Sequence, residues 1–263
     1  TRRAAKMVIL DADHPDIERF VDWKVGEEHK VASMVTGSYV LKRHVEAIGE
    51  AALGYRGREQ DRLNLEANSA LRRAAKRALD NGMPPTFLYR VLQLLAQHED
   101  DLQTVLYTTD WQGDAYDTVS GQSSNNSVRV SNEFIRAALD DREWELVERT
   151  TGRVSRRIRA RDLWERIARS AWRCADPGLQ FHTTINEWHT CPSGGEIRAS
   201  NPCSEYMFLD DTACNLASFN LMRFYDTESG EFDIASYRHA IRLWTVVLET
   251  SVVMAQFPSA EIA

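Results

Sequence analysis

Apolar residues follow two alternating patterns along the chain: short continuous runs, and helical spacings of three and four residues. The run Met7–Leu10 is typical of a strand buried on both faces, and Ile17, Phe20 and Val21 then mark one face of a helix ending near Lys24. A strand followed at once by a helix is the building unit of parallel α/β folds. The same pattern predicts further strands at 127–130, 179–184 and 213–221, and capped helices beginning near Ser131, Asp162 and Asp233.

Residues 25–119 interrupt this rhythm with a mostly helical pattern. Helices are predicted at Tyr39–Leu53, Asn68–Leu79 and Thr86–His98, because each range has apolar positions on one face and a glycine, Asn-Gly or proline boundary. We interpret 25–119 as a helical insertion within an α/β domain that spans residues 1–263.

Composition excludes several classes of function. The net charge of −7 and the isoelectric point near 5.6 argue against direct binding of nucleic acid or of an anionic membrane. No run of about 18 apolar residues occurs, so no membrane span is predicted. The four cysteines lack the CxxC and histidine spacing of a structural zinc site, and we predict no metal ligands. Free cysteines in a large chain fit a reducing, cytoplasmic location.

Arginines are concentrated in two places. Six lie between Arg149 and Arg161, where a solvated face is the first interpretation and a nucleotide-phosphate contact is the alternative. Arg2 and Arg3, just ahead of the first strand, leave the same two alternatives open.

A cluster of small polar residues precedes the second predicted strand, which carries Arg129. Such a cluster predicts a loop, and its few apolar anchors suggest low local stability. Amides and hydroxyls both donate and accept hydrogen bonds, which suits the reading of a base edge, although a polar linker is the alternative. The cluster is Gly121, Gln122, Ser123, Ser124, Asn125 and Asn126.

The pentapeptide Asn201-Pro202-Cys203-Ser204-Glu205 places an amide, a thiol and a carboxylate within five residues. In extended backbone the odd positions share one face, and the proline favours the tip of a loop over a central strand. A nearby carboxylate disfavours the thiolate, which suits hydrogen-atom donation better than nucleophilic attack. A structural cysteine in a polar turn is the alternative.

Asn201–Leu221, which reads NPCSEYMFLDDTACNLASFNL, closely resembles the active-site segment of ribonucleotide reductases, and most of all the adenosylcobalamin-dependent, class II, enzymes. Thr1–Lys24, Gly121–Glu133 and Asp162–Ser259 fit the same family. The resemblance implies an incomplete ten-stranded α/β barrel with this segment as a finger loop at its centre. It also implies the reduction of ribonucleotides, with diphosphates favoured, to 2′-deoxyribonucleotides for DNA synthesis.

The resemblance implies a role for each residue of the pentapeptide. Cys203 would carry a thiyl radical that abstracts the 3′ hydrogen, Glu205 would act as general base, and Asn201 would position the hydroxyls. Pro202 and Ser204 would complete the substrate-binding loop. Cys214 resembles one of two reducing thiols, and its partner is expected before Thr1, so we expect this chain to be inactive alone. The resemblance also matches Gly121, Gln122, Ser123, Asn125, Asn126 and Arg129 to the loop between a dNTP effector and the substrate base.

The implied cofactor is adenosylcobalamin. The implied partners are a ribonucleotide substrate, a dNTP effector, a thioredoxin-like reductant, and either a second copy of the chain or the segments that complete the barrel. Two alternatives remain open at this point. One is the large subunit of a class I reductase, which receives its radical from another subunit, and the other is a non-catalytic nucleotide-binding fragment.

Overall fold

The computed structural model describes residues 5–97 and 102–263, and its mixed α/β content agrees with the expected fold class. Arg2, Arg3 and His98 lie outside the described residues. The α-helices are α1 (Ile17–Leu53), α2 (Ser69–Asp80), α3 (Pro85–Ala96), α4 (Asp114–Asp117), α5 (Asn132–Leu139), α6 (Ala160–Cys174), α7 (His182–Glu187) and α8 (Ile234–Val253). The strands are β1 (Lys6–Asp11), β2 (Ser124–Val130), β3 (Glu143–Val147), β4 (Val154–Arg159), β5 (Gly178–Phe181), β6 (Ala199–Ser200) and β7 (Met207–Phe208).

A parallel sheet in the order β1-β2-β5 forms the centre of the α/β part. Successive side chains along each strand point to opposite faces of the sheet. Val128 and Val130 of β2 are almost fully buried against helices α1, α5 and α6. Ile17, Phe134 and Leu163 supply the helical side of this core. The opposite face of the sheet is therefore free of these helices.

Close approach of β2 and β5 depends on a glycine. A Cβ atom at Gly178 would lie 2.9 Å from Oγ of Ser127, which is its register partner on β2. A side chain at this position would require Oγ of Ser127 to shift at the first residue of β5.

A closed barrel is not present in the described residues, and ten strands are not confirmed. The remaining strands pair as two antiparallel hairpins, β3 with β4 and β6 with β7. The parallel β1-β2-β5 sheet with helices on one face is the part of the expected architecture that the structure shows.

Two predicted strands need correction. The strand at 213–221 is wrong: residues 213–220 are irregular and a 3₁₀ turn follows at Leu221–Phe224. A strand requires a neighbour for its backbone hydrogen bonds, and no described strand pairs with this segment. The strand at 179–184 ends early, because Val130 with Phe181 is the last pair between β2 and β5 and helix α7 then begins at His182.

The polar cluster at 121–126 is only partly a loop. Strand β2 begins at Ser124, and the strand is paired on both sides. Ser124 and Asn126 are buried, so the expectation of a loop with low local stability does not hold for this half of the cluster. Hydrogen bonds satisfy the backbone of this buried part, since the backbone N–H of Asn126 donates to Asp176 and Lys24 donates to the carbonyl oxygen of Ser124. The loop is limited to residues 121–123.

Helix α1 joins the sheet layer to the helical region. The predicted helix ending near Lys24 and the predicted helix at Tyr39–Leu53 are one continuous helix of 37 residues. Its last third packs in a second apolar cluster with α2 and α3, around Ile48, Leu71 and Leu95. Because the helix crosses residue 25 without a break, an insertion beginning there stays a prediction.

The ends of the predicted helices follow ordinary capping chemistry. Asn68 caps α2 by accepting from the backbone N–H of Leu71 at 3.0 Å, and Pro85 occupies the first turn of α3. Asp233 caps α8 by accepting from the backbone N–H of Ser236 at 2.9 Å. Hydrogen bonds from the Ser236 side chain, and then from its backbone, lower the pKa of Asp233. Helix α6 begins at Ala160, two residues before the predicted cap Asp162.

The apolar face of α8 lies open in this structure. None of the residues of α8 is buried. Aromatic contacts tie it to the preceding segment, with the Tyr237 ring 5.3 Å from that of Phe224 and 6.0 Å from that of Phe219. Across residues 5–97 and 102–263, no helix combines the length and the apolar character needed to cross a lipid bilayer.

Candidate active site

The pentapeptide forms the tip of a β-hairpin. Strands β6 and β7 pair antiparallel, and the chain reverses between them through 201–206. The backbone N–H of Ser204 donates to the carbonyl oxygen of Asn201 at 3.0 Å, and Ser204 has a left-handed φ of 62°. The expectation of extended backbone is therefore wrong for these residues, because a turn of this kind breaks the alternation of side chains. The prediction of a loop tip agrees with the structure.

The side chain of Asn201 is oriented by the turn. Its Oδ1 accepts from the backbone N–H of Tyr206 at 3.0 Å, which leaves the Nδ2 amide as the group that can donate to a ligand. Cys203 and Glu205 are both exposed on the tip, whereas Asn201, Pro202 and Ser204 are half-buried.

The hairpin lies against the sheet face that the helices leave free. Nδ2 of Asn125 donates to the carbonyl oxygen of Pro202 at 2.6 Å. Nη1 of Arg129 donates to the carbonyl oxygen of Arg198 at 2.9 Å. Since Asn125 and Arg129 alternate with the buried valines of β2, the hairpin and the core helices occupy opposite faces. A finger at the centre of a closed barrel stays a prediction, because the described residues form no closed barrel.

The structure does not place Cys214 on the hairpin. It is an exposed residue of the irregular segment that follows β7. The next residue, Asn215, donates to the carbonyl oxygen of Leu248 at 3.0 Å and to Oγ of Ser251 at 2.6 Å, so this part of the segment is tied to α8. The role of Cys214 as a reducing thiol stays a prediction.

The remaining cysteines lie apart from the tip. Cys174 ends α6 and is half-buried, and burial raises the pKa of its thiol. Cys191 is exposed in the approach to the hairpin. Within the described ranges, no group of three or more His, Cys, Asp or Glu side chains is arranged to hold a metal ion.

The arginine-rich segment is neutralised by carboxylates. Arg157 bonds Glu145 at 2.6 Å across the β3–β4 hairpin, and this hydrogen bond raises the pKa of Arg157. The other described ion pairs of the segment join Arg149 to Asp11 and Asp13, Arg156 to Glu18 and Arg159 to Asp141. This pattern favours the solvated, ion-paired face over a contact with nucleotide phosphates.

Sequence reasoning missed a buried ion pair between Lys24 of α1 and Asp176, which lies between α6 and β5. Nζ of Lys24 lies 2.9 Å from Oδ2 of Asp176, and the two side chains are only 13% and 8% exposed. The same carboxylate oxygen accepts from the backbone N–H of Asn126 at 3.2 Å. Asp176 precedes Pro177, and the sequence signal there indicates only the end of a helix.

Loss of this lysine is expected to be costly. Lys24→Met would leave Asp176 buried without a counter-charge, so we expect the free energy of unfolding to fall by about 3–5 kcal/mol. Denaturant unfolding monitored by circular dichroism measures the change. The control is Lys42→Met, which breaks an exposed pair with Glu46 and should cost less than about 1 kcal/mol. Equal losses in the two variants would contradict the assignment.

Gln180 and Arg198 were also missed as parts of the site. Gln180 is 2% exposed, and its Nε2 donates to Oγ of Ser200 at 2.6 Å. Ser200 Oγ in turn lies 2.9 Å from the carbonyl oxygen of Asn201. A usable signal existed, because one amide between Leu179 and Phe181 is unusual in an otherwise apolar strand. Nothing in the sequence indicates that Arg198 contributes its carbonyl oxygen rather than its charge.

Comparison with known proteins shows the family to which the chain is similar. The family model of the ribonucleotide reductase barrel domain matches residues 1–263. The chain is 55% identical over 263 residues to the vitamin B12-dependent ribonucleotide reductases of Agrobacterium fabrum and Bradyrhizobium diazoefficiens, covering 100% of this chain and 21% of each relative. A more distant relative, the vitamin B12-dependent ribonucleoside-diphosphate reductase of Thermoplasma acidophilum, is 33% identical over 138 residues, which is 52% of this chain and 18% of the relative.

The chain thus spans about a fifth of the length of these relatives. The family model matches every residue of the chain, and the chain also has a Cys-bearing hairpin on the free face of a parallel sheet. This chain belongs to the ribonucleotide reductase barrel-domain family.

Proposed function

We propose that this chain supplies the finger loop and part of the barrel of an adenosylcobalamin-dependent ribonucleotide reductase that acts on diphosphates. The observation that carries the proposal is the position of Cys203 at the tip of a hairpin seated on the sheet face opposite the core helices. The names of the relatives support B12 dependence and do not favour the class I alternative. The name of the Thermoplasma relative supports a diphosphate substrate.

Each step of the reaction is assigned to a side chain of the tip or to Cys214. The Cys203 thiyl takes the hydrogen atom from C3′ and becomes a thiol, and Glu205 accepts the proton of the 3′-hydroxyl. The 2′-hydroxyl takes a proton from one of the two reducing thiols and leaves C2′ as water, and Glu205 later returns its proton to the 3′-oxygen. Cys214 and a second thiol supply two electrons and two protons and become a disulfide, and Cys203 returns a hydrogen atom to C3′. Asn201 donates its amide to a substrate hydroxyl and holds the ring in position.

The exposed Cys203 fits the implied cofactor. Homolysis of the cobalt–carbon bond of adenosylcobalamin supplies the radical when the cofactor is bound. A bulky radical donor can reach only a sulfur that the protein leaves open, and the Cys203 side chain is exposed. The hairpin therefore needs to hold this thiol still while leaving one side of it accessible.

The residues proposed for the dNTP effector are fewer than those that the resemblance implies. For the dNTP effector we retain Gly121, Gln122 and Ser123, which form the loop before β2. Asn125, Asn126 and Arg129 lie in the central strand, so a shared effector loop that includes them has less support. A thioredoxin-like protein would reduce the disulfide, the partner in assembly would be a second copy or the completing segments, and the location would be the cytoplasm.

The proposal is tested with a reductase of the length of the relatives that contains this chain. Ribonucleoside diphosphate, a dithiol and adenosylcobalamin should give deoxyribonucleoside diphosphate, measured by chromatography. Omission of adenosylcobalamin should abolish product. Turnover without it would favour the class I alternative, and nucleotide binding without turnover in the complete system would favour the non-catalytic fragment.

A further inference from the structure

We propose that Asn125, Arg129 and Gln180 form a cradle that positions the finger hairpin, and that they are positioning residues for Cys203. The inference rests on the proposed function, because it assigns these residues to the same site. Each side chain projects from the parallel sheet and bonds a different part of the hairpin: the residue before β6, β6 itself and the tip.

The spacing of the contacts matches on the two sides. Arg129 and Asn125 are four residues apart on β2, and the carbonyl groups that they bond, Arg198 and Pro202, are four residues apart on the hairpin. The order is reversed, because the later residue of β2 bonds the earlier residue of the hairpin. The hairpin strand therefore runs alongside the free face in the direction opposite to β2. A shift by one residue would break both contacts together.

The cradle is itself held in place. Asp11, Arg129 and Gln180 are register partners across the three strands of the sheet. Nε of Arg129 bonds Oδ1 of Asp11 at 2.5 Å, which leaves Nη1 to reach the hairpin. Gln180 is almost fully buried, so its amide has little freedom to choose another partner. One row of the sheet thus presents two fixed donors to the hairpin.

The contact of Asn125 bears most directly on the chemistry. The carbonyl oxygen that it bonds belongs to the peptide group joining Pro202 to Cys203. Rotation of that peptide changes the direction of the Cys203 side chain. Because hydrogen-atom transfer needs the reacting atoms in near contact, a misplacement of about 1 Å can cost about 10²-fold in rate. Asn125 has no need to touch the substrate to have this effect.

The test is Asn125→Asp in the complete reductase with adenosylcobalamin. A carboxylate cannot donate, and it repels the Pro202 carbonyl oxygen. We expect kcat to fall about 10²-fold while KM stays within about three-fold, because substrate contacts are retained. The 3′-deuterium isotope effect on kcat should rise, since a misplaced sulfur makes hydrogen abstraction slower than the other steps. Asn125→Ala removes the donor without the repulsion and should lose about ten-fold.

The matched control is Asn81→Asp. Asn81 is also exposed and also donates its amide to a backbone carbonyl, that of Arg77 at 2.7 Å, but it lies at the end of α2. It should keep the parent kcat and isotope effect. The cradle is refuted if Asn125→Asp behaves like this control, or if kcat falls with an unchanged isotope effect and a matching fall in melting temperature. If Asn125→Asp does not fold, Asn125→Ala is judged by the same two criteria. Failure of the parent enzyme to reduce ribonucleotides would instead refute the proposed function.

Discussion

Cys203→Ser is expected to abolish ribonucleotide reduction while leaving nucleotide affinity within a few-fold. Serine is nearly isosteric with cysteine, so the turn at 201–206 and its contacts with the sheet should persist. The O–H bond is too strong for a practical hydrogen-atom relay, and the loss should therefore be complete. The measurements are product formation and tritium release from 3′-labelled substrate, both in the complete enzyme with adenosylcobalamin.

Two other cysteines make this experiment specific. Cys191→Ser changes an exposed thiol outside the tip and should leave turnover unchanged. Cys214→Ser should still release tritium from C3′, but the missing reductant would leave the intermediate stranded and little deoxyribonucleotide would form. Substantial product from Cys203→Ser would rule out the radical assignment. Absence of tritium release from Cys214→Ser would show that Cys214 acts before the reducing step.

Glu205→Gln is expected to lower kcat by about 10²–10⁴-fold, the range typical of losing a general base. The amide keeps the shape of the side chain, and Glu205 is exposed at the tip, so the hairpin should fold as before. An amide cannot accept the proton of the 3′-hydroxyl. The measurement is kcat as a function of pH, in which the limb that reports the base should flatten in the variant.

The control for this variant is Glu187→Gln, an exposed glutamate at the end of α7. It should leave both kcat and the pH profile unchanged. A Glu205→Gln enzyme with near-parental kcat would show that another group, or water, accepts the proton.

Local periodicity predicted the elements that depend on nearby residues. The run at Met7–Leu10 became β1, and Asn68 and Pro85 marked the starts of α2 and α3, because capping and helical spacing are local properties. The prediction of a strand at 213–221 was wrong because strand formation is not a local property. Its apolar residues resemble a strand, but strand formation depends on a partner that local sequence does not name. The pattern therefore predicts helices better than it predicts pairing.

The site shows the same division. Cys203 and Glu205 were found because thiol, amide and carboxylate types are visible in one short segment. The contacts of Asn125 and Gln180 were missed because they join residues 77 and 20 positions apart. The polar residues Ser124–Asn126 were predicted to form a loop, whereas the structure places them in a strand. There the backbone N–H of Asn126 bonds Asp176 and the side-chain amide of Asn125 bonds Pro202. Sequence identifies reactive groups more readily than the groups that hold them.

The continuity of α1 couples the positions of its two ends. A helix of 37 residues is about 55 Å long. Its first turns are embedded beneath the sheet at Ile17 and Val21, and its last turns are embedded among α2 and α3 at Ile48 and Ala52. A tilt of about 5° at the sheet end would move the far end by roughly 5 Å over such a length. A ligand that displaced the helical cluster would thus change the packing of Ile17 and Val21 against the strand layer that supports Cys203.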